Sequence, residues 1–199
     1  GWDSEFIRGH MTGHYLSAAS RMAAATGSLL FRDRVNYLVG ELAKCQDALN
    51  LDGYLAAFST GAFDQLEGKP GADAGGIGVP YYTIQKIMSG LLDAHAYVGN
   101  RQALDVASRM ADYFGKRLAA LDAAQIDRMF RTDGSRNPQN EFGAMSDVLT
   151  ELYKIDKNVR HLETARIFHR AWFVGPLAEG ADRLGGLHAN THIAPAVGL

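Results

Sequence analysis

A single cysteine, Cys45, is all the thiol chemistry this chain of 199 residues carries. It excludes an intrachain disulfide and any zinc site built from several cysteines. No run approaches the roughly 18 apolar residues that a membrane-spanning helix needs. Charge of one sign is also missing: 20 Lys+Arg against 22 Asp+Glu leave a formal net charge of -2. There is thus no basic footprint for nucleic acid or for an anionic membrane surface. Neither GxxxxGK[ST] nor GxGxxG after a strand is present, so no phosphate loop is expected. G-x-S-x-G is absent as well, which argues against a serine nucleophile on a strained elbow.

What is present is an ordinary globular balance, 47% hydrophobic and 21% charged, which excludes disorder and low-complexity architectures. The length fits one domain, or part of a larger one, and residues 1–199 are read as a single soluble helical domain. Apolar residues recur at spacings of three and four over most of the chain, the signature of amphipathic helices. The first helix is expected from about Gly9 to Ala25, with Leu16, Ala19, Met22 and Ala23 on its buried face and Thr26-Gly27 as its stop. A second is expected over Arg32 to Leu49, burying Val35, Leu38, Val39, Leu42 and Cys45, so Cys45 reads as a small core residue. Residues 51–79 break the pattern: Asp52 to Leu55 suggests a turn into an extended piece. Glycines at 68, 71, 75, 76 and 78 then suggest either a flexible connection or a long loop over a cleft.

Helices resume at Pro80, a favourable first-turn residue, and run to about Val98, then from Arg101 to about Leu121 and from Ala123 to Arg131. The segment Thr132 to Asn140 reads as a turn-rich loop, with Asn140 able to cap a helix from Glu141 to Ile155. A partner helix over Val159–Trp172, a short one over Pro176–Arg183 and the first turns of another after Leu187 complete the chain. Three apolar-helix, polar-turn, return-helix units form a weak repeat, which points to an all-α array of hairpins, a solenoid or an α/α toroid. A closed toroid of six hairpins needs on the order of 300 residues. The expected helices therefore amount to a smaller array or to half of such a ring.

Two pairs of histidines have i,i+4 spacing, His10 with His14 and His188 with His192. Such a pair shares one helix face, the spacing that metalloproteases use for zinc. The H-E-x-x-H glutamate is missing, because Met11 and Ala189 follow the first histidines. Three readings stay open: a four-histidine metal site, the polar lining of a ligand cleft, and hydrogen-bonded structural side chains. Tyr81, Tyr82, Thr83 and Gln85 open a helix after the glycine-rich loop and could hold a sugar by stacking and hydrogen bonds. Glu141 could be a ligand-facing acid or a carboxylate favoured only by a helix dipole. Glycoside hydrolysis needs two carboxylates, or a substitute nucleophile, across one bond; beyond Glu141 only Asp93 offers itself. His95, His161 and His169 lie inside expected helices and read as structural.

The segments "GWDSEFIRGHMTGHYLSAASRMAAATG", "CQDALNLDGYLAAF", "VPYYTIQKIMSGLLDAHAYVGNRQALDVASRMADYF", "NEFGAMSDVLTELYKI" and "DRLGGLHANTHIAPAVGL" resemble, in order, the β-L-arabinofuranosidase-type glycoside hydrolases. These are glycoside hydrolase families 127 and 146, formerly a domain of unknown function. The resemblance implies an (α/α)6 toroid followed by β-sandwich domains, acting on terminal arabinofuranose of plant glycans. It also implies a retaining reaction with a zinc-bound cysteine thiolate as nucleophile and a glutamate as acid/base. Those zinc cysteines and that glutamate follow the "HANT" motif in the family. The implied content of this chain is therefore a truncated, first-half toroid with substrate-contacting positions, no catalytic residue and no metal ligand. The family's "YTIHK" reads Tyr82-Thr83-Ile84-Gln85-Lys86 here, and its "ExGGM" reads Glu141-Phe142-Gly143-Ala144-Met145. By motif match the expected substrate-binding residues are His10, His14, Tyr82, Gln85, Glu141, His188 and Asn190. The expected partners are a carbohydrate and, because half a toroid leaves Met88, Leu91 or Ile167 uncovered, further copies of the chain. If it follows the family, the protein is periplasmic or secreted. The alternative is a non-catalytic helical module that binds sugar or protein.

Overall fold

A computed structural model describes residues 6–130 and 141–197, apart from the side chain of Asn190. The described elements are α1 (His10–Thr26), α2 (Leu29–Leu49), α3 (Gly61–Leu66), α4 (Pro80–Val98) and α5 (Arg101–Ala119). They continue with α6 (Ala123–Phe130), α7 (Met145–Asp156), α8 (Val159–Ile167), α9 (Ala171–Ala178) and α10 (Ala189–Val197). No strand occurs among the described residues, so the fold is all-α as expected. None of the described helices is long and apolar enough to cross a membrane.

Three hairpins, α1–α2, α4–α5 and α7–α8, stand side by side in two layers. One layer runs α1, α4, α7, α10, each packed on the next; the other runs α2, α5, α8. Local chemistry sets the turns. Gly27 takes a φ of 69° and its N–H closes α1 on the Ala23 carbonyl, while extended Ser28 opens α2 at once. Asn100 caps α5 by accepting from the Ala103 N–H, and Asn158 caps α8 by accepting from the Arg160 N–H.

Between the layers lies a core of Leu16, Val35, Val39, Met88, Leu91, Val106, Met110 and Leu149. At the Pro80 end of α4 it turns aromatic. The Tyr81 ring sits 4.9 Å from Phe63, 5.6 Å from Phe114, 5.9 Å from Phe130 and 5.2 Å from Phe168. That cluster joins α3, α4, α5, α6 and the end of α8 and holds the first turn of α4 in place. Edge-to-face ring pairs of this kind add about 0.5–1.5 kcal/mol each beyond their buried area.

Several expectations need correction. Met88 and Leu91 are not uncovered; both are at the centre of the core, and Ile167 packs against it. Met22 and Cys45, expected inside, are exposed, because α1 and α2 bury the adjacent faces carrying Ala19, Ala23, Val39 and Ala43 instead. The irregular region 51–79 contains α3, whose Phe63 anchors it in the aromatic cluster. Its glycine-rich part is not a free connection but is tied down beside the segment that leads into α1. The Gly78 N–H donates to the Phe6 carbonyl, the Gln65 side chain accepts from the Ala74 N–H, and Ile77 and Val79 are buried. The last hairpin differs too: α7 starts at Met145 rather than Glu141, and the Val159–Trp172 helix divides at Phe168–Arg170. Phe168 leaves the helix to reach the aromatic core. The expected cap at Asn140 and the Thr132 to Asn140 loop lie outside the described residues.

Candidate functional site

The inner-layer helices begin close to one another because two glycines remove the side chains between them. A Cβ added at Gly13 would lie 1.9 Å from the Lys86 carbonyl oxygen, and one at Gly90 2.5 Å from the Gly13 oxygen. The backbones of α1 and α4 therefore touch, and the first turn of α1 faces the first turns of α4. His10 opens α1 with its Nδ1–H donating to the Ile7 carbonyl at 2.8 Å. One turn on, the His14 ring meets it edge-on at 5.7 Å, and Tyr82 of α4 lies 6.4 Å from His10. Lys86, one turn after Tyr82, holds its ammonium 4.7 Å above the Tyr82 ring.

The opposite wall comes from residues distant in sequence. Half-buried Glu141 stands just before α7 and accepts a hydrogen bond from Thr191 in α10. Thr191 Oγ1 in turn lies 3.1 Å from His188 Nδ1. The two groups of residues are near enough to influence one another's charge. Burial pushes the Glu141 carboxyl up, while His188, Lys86 and the Thr191 hydroxyl act to lower it. Burial pulls the Lys86 ammonium down, opposed by Glu141. The Tyr82 phenol is raised by burial and then by Glu141, and the His14 imidazole is lowered by burial, Lys86 and His10. The result is one continuous run of polar side chains: His10, His14, Lys86, Tyr82, Glu141, Thr191 and His188. It offers a carboxylate, hydroxyls and imidazoles to a ligand, with one fixed cation.

Five of the expected residues meet here: His10, His14, Tyr82, Glu141 and His188. Gln85 does not. It is buried beside that group on the same side of α4, donates from Nε2 to Ser89 Oγ at 2.7 Å and lies under Gly143, so its contacts are within the protein. Asn190 lies in α10, and its side chain is outside the described residues. His192 packs between Trp172 and Phe173, at 5.7 and 5.2 Å, with Nδ1–H donating to the His188 carbonyl, so the second histidine pair is divided. Lys86 and Thr191 were not expected in the site. Spacing carries the signal for both: Lys86 is Tyr82 plus four and Thr191 is His188 plus three, each on the same helix face.

The zinc thiolate that the resemblance implies does not fit these residues. The sole thiol, Cys45, is exposed on α2 in the other layer, and no three His, Cys, Asp or Glu side chains are grouped to hold a metal among the described residues. His161, as expected, is structural: it is fully buried, with Nδ1 2.8 Å from Asp156 Oδ2 and Nε2 3.5 Å from Asp112 Oδ1. Asp93 is engaged by Arg21 at 3.1 Å, away from the cleft.

These features define an all-helical hairpin protein with a polar, acid-bearing cluster where the starts of α1, α4, α7 and α10 adjoin. The family model of the β-L-arabinofuranosidase GH127 catalytic domain matches residues 1–199, and the chain belongs to that family. No curated protein matches it.

Proposed function

We propose that this chain forms the substrate-binding wall of a glycoside hydrolase that takes arabinofuranose-containing plant glycans. The observation that supports this most is the convergence of Glu141, His188 and Thr191 with His14, Tyr82 and Lys86 from the other end of the chain. A carboxylate, imidazoles and a phenol brought together match the alternating donors and acceptors of a sugar ring. In this reading Glu141 accepts hydrogen bonds from sugar hydroxyls, and burial pushes its carboxyl above the ordinary range. His14, with its charge disfavoured, serves as a neutral hydrogen-bonding ring.

The cleft residues include one acid and no thiol, so the side chains described here orient a substrate and supply no nucleophile. The measurement is titration of the chain with arabinofuranosyl oligosaccharides by calorimetry. Wild type is expected to bind, and Glu141→Gln to bind at least about tenfold more weakly with unchanged circular dichroism, the loss of a charge-assisted hydrogen bond. Equal affinities would remove Glu141 from the site. Hydrolysis of an aryl arabinofuranoside by the purified chain with added zinc would overturn the non-catalytic reading of these residues.

We further propose that copies of the chain associate through the ends of the inner layer. Among the described residues, α1 packs in its layer on α4 and α10 packs on α7. Both outer faces are apolar: Met11, Tyr15 and Met22 on α1, Ile193 and Val197 on α10. Sedimentation at micromolar concentration is expected to show a dimer, and Tyr15→Lys with Met22→Lys a monomer. A monomeric wild type at that concentration would end this proposal.

A further inference from the structure

Several cations of this fold are held in ion pairs, and most of the others are exposed to water. Arg21 pairs with Asp93, Lys44 with Glu41, Arg109 with Asp47, Lys116 with Asp52 and Lys154 with Glu151. Lys86 is different. It is half-buried, its backbone is clamped under Gly13, and its ammonium stands over the Tyr82 ring. Among the described residues it has no carboxylate within ion-pair distance and no hydrogen-bond acceptor. The nearby acid, Glu141, already has Thr191 and is flanked by His188.

A partly desolvated ammonium without a counter-ion is a standing cost, because its lost hydration is not replaced. The Tyr82 face offsets a part of it, since a cation over an aromatic ring gains about 0.5–2 kcal/mol. The ammonium's three N–H donors have no acceptor among the described residues. Arg170 shows the contrast. It is stacked 3.7 Å over Phe130, but its Nε and Nη2 are sealed from solvent, so no ligand reaches them. Lys86 Nζ is not sealed in this way.

We infer that Lys86 is an anion-reading residue, and that the glycan taken by this cleft carries a carboxylate, a uronate unit beside the arabinofuranose. This rests on the carbohydrate-binding reading above and adds the charge of the substrate to it. A lysine suits the task as a compact point charge that does not demand bidentate geometry. The Tyr82 ring beneath it limits the directions in which the ammonium can turn. The half-buried position makes the pair worth more than a surface ion pair and less sensitive to salt.

The experiment compares two probes by calorimetry on the full chain: an arabinofuranosyl oligosaccharide containing galacturonate, and the same compound with its carboxyl reduced to the neutral sugar. Wild type is expected to favour the acid form by about tenfold, the size of a charge-assisted hydrogen bond. Lys86→Met should bring the two affinities within twofold of each other, and Lys86→Arg should retain a preference for the acid. Equal affinity of wild type for both probes would overturn this inference and leave the carbohydrate reading standing. A preference that survives in Lys86→Met, with unchanged circular dichroism, would assign the discrimination elsewhere and overturn it too. Binding of neither probe would remove the carbohydrate reading and this inference with it.

Discussion

Gly13→Ala is expected to destabilise the protein by at least about 3 kcal/mol, the largest effect of any single methyl group in the fold. The added Cβ would lie 1.9 Å from the Lys86 carbonyl oxygen, 2.1 Å from its carbon and 2.6 Å from the Ile87 nitrogen. All three are backbone atoms of α4, so no rotamer change relieves the clash and the two helices must move apart. Gly90 faces the same seam from the other side, 2.5 Å from the Gly13 oxygen. For a chain of this length 1 kcal/mol shifts Tm by roughly 2–4 °C, so a fall of about 10 °C is expected in a thermal melt. Gly40→Ala is the control: it is a helix-interior glycine of α2 with nothing within 4 Å of the added Cβ. It should stabilise by about 0.5–1 kcal/mol, the helix propensity gained. A Gly13→Ala melt that coincides with wild type would show that the α1–α4 seam can open at no cost.

The second large effect is expected at Arg117, which ties α3 to α5. Its guanidinium bonds both oxygens of Glu67, one at 2.9 Å, and also Asp64, with the Tyr113 hydroxyl at 3.2 Å. Glu67 is almost fully buried, and Lys69 at 3.2 Å is its only other cation. Arg117→Met leaves that carboxylate with half its compensation, and breaking a buried pair in this way costs about 3–5 kcal/mol. Adding Glu67→Gln should recover part of the loss, because the uncompensated charge is then gone. Acidity provides an independent readout. Burial alone would raise the Asp64 carboxyl, but hydrogen bonds from Lys69 and Arg117 outweigh it, and its folded pKa lies below the unfolded 3.8. A depressed carboxyl contributes stability above its unfolded pKa and loses it as pH falls through the folded value. Wild type should therefore lose stability steeply below about pH 4, and Arg117→Met less steeply over that window. Parallel Tm-versus-pH curves for the two proteins would sink the network as an acid-sensitive element.

Much of the architecture was legible as pattern. Pro80 and Gly99 mark the two ends of α4, and Gly27 marks the stop of α1, because φ-restricted and φ-permissive residues act locally. The site was legible only as motifs. His10, His14, Tyr82, Glu141 and His188 could be nominated one by one, whereas the burial of Gln85 against Ser89 and Gly143 was not readable from its motif. Helix α3 was missed because six residues give too few turns for a periodic signal.

The amino-acid order by itself determined the helical class, the hairpin repeat, the balance of charge and the family's motifs in their order. Each is a property of composition or of residues within a few turns of one another. Tertiary structure alone decided which face of each helix turns inward. In α1 and α2, rich in alanine and small residues, the apolar stripe is wider than the contact, so Met22 and Cys45 could lie on either side of its edge. It alone decided, too, that Lys86 and Glu141 come near enough to influence each other and that Thr191 bonds Glu141. Those groups are held together by a glycine seam and an aromatic cluster, contacts between segments far apart in the chain that no local pattern encodes.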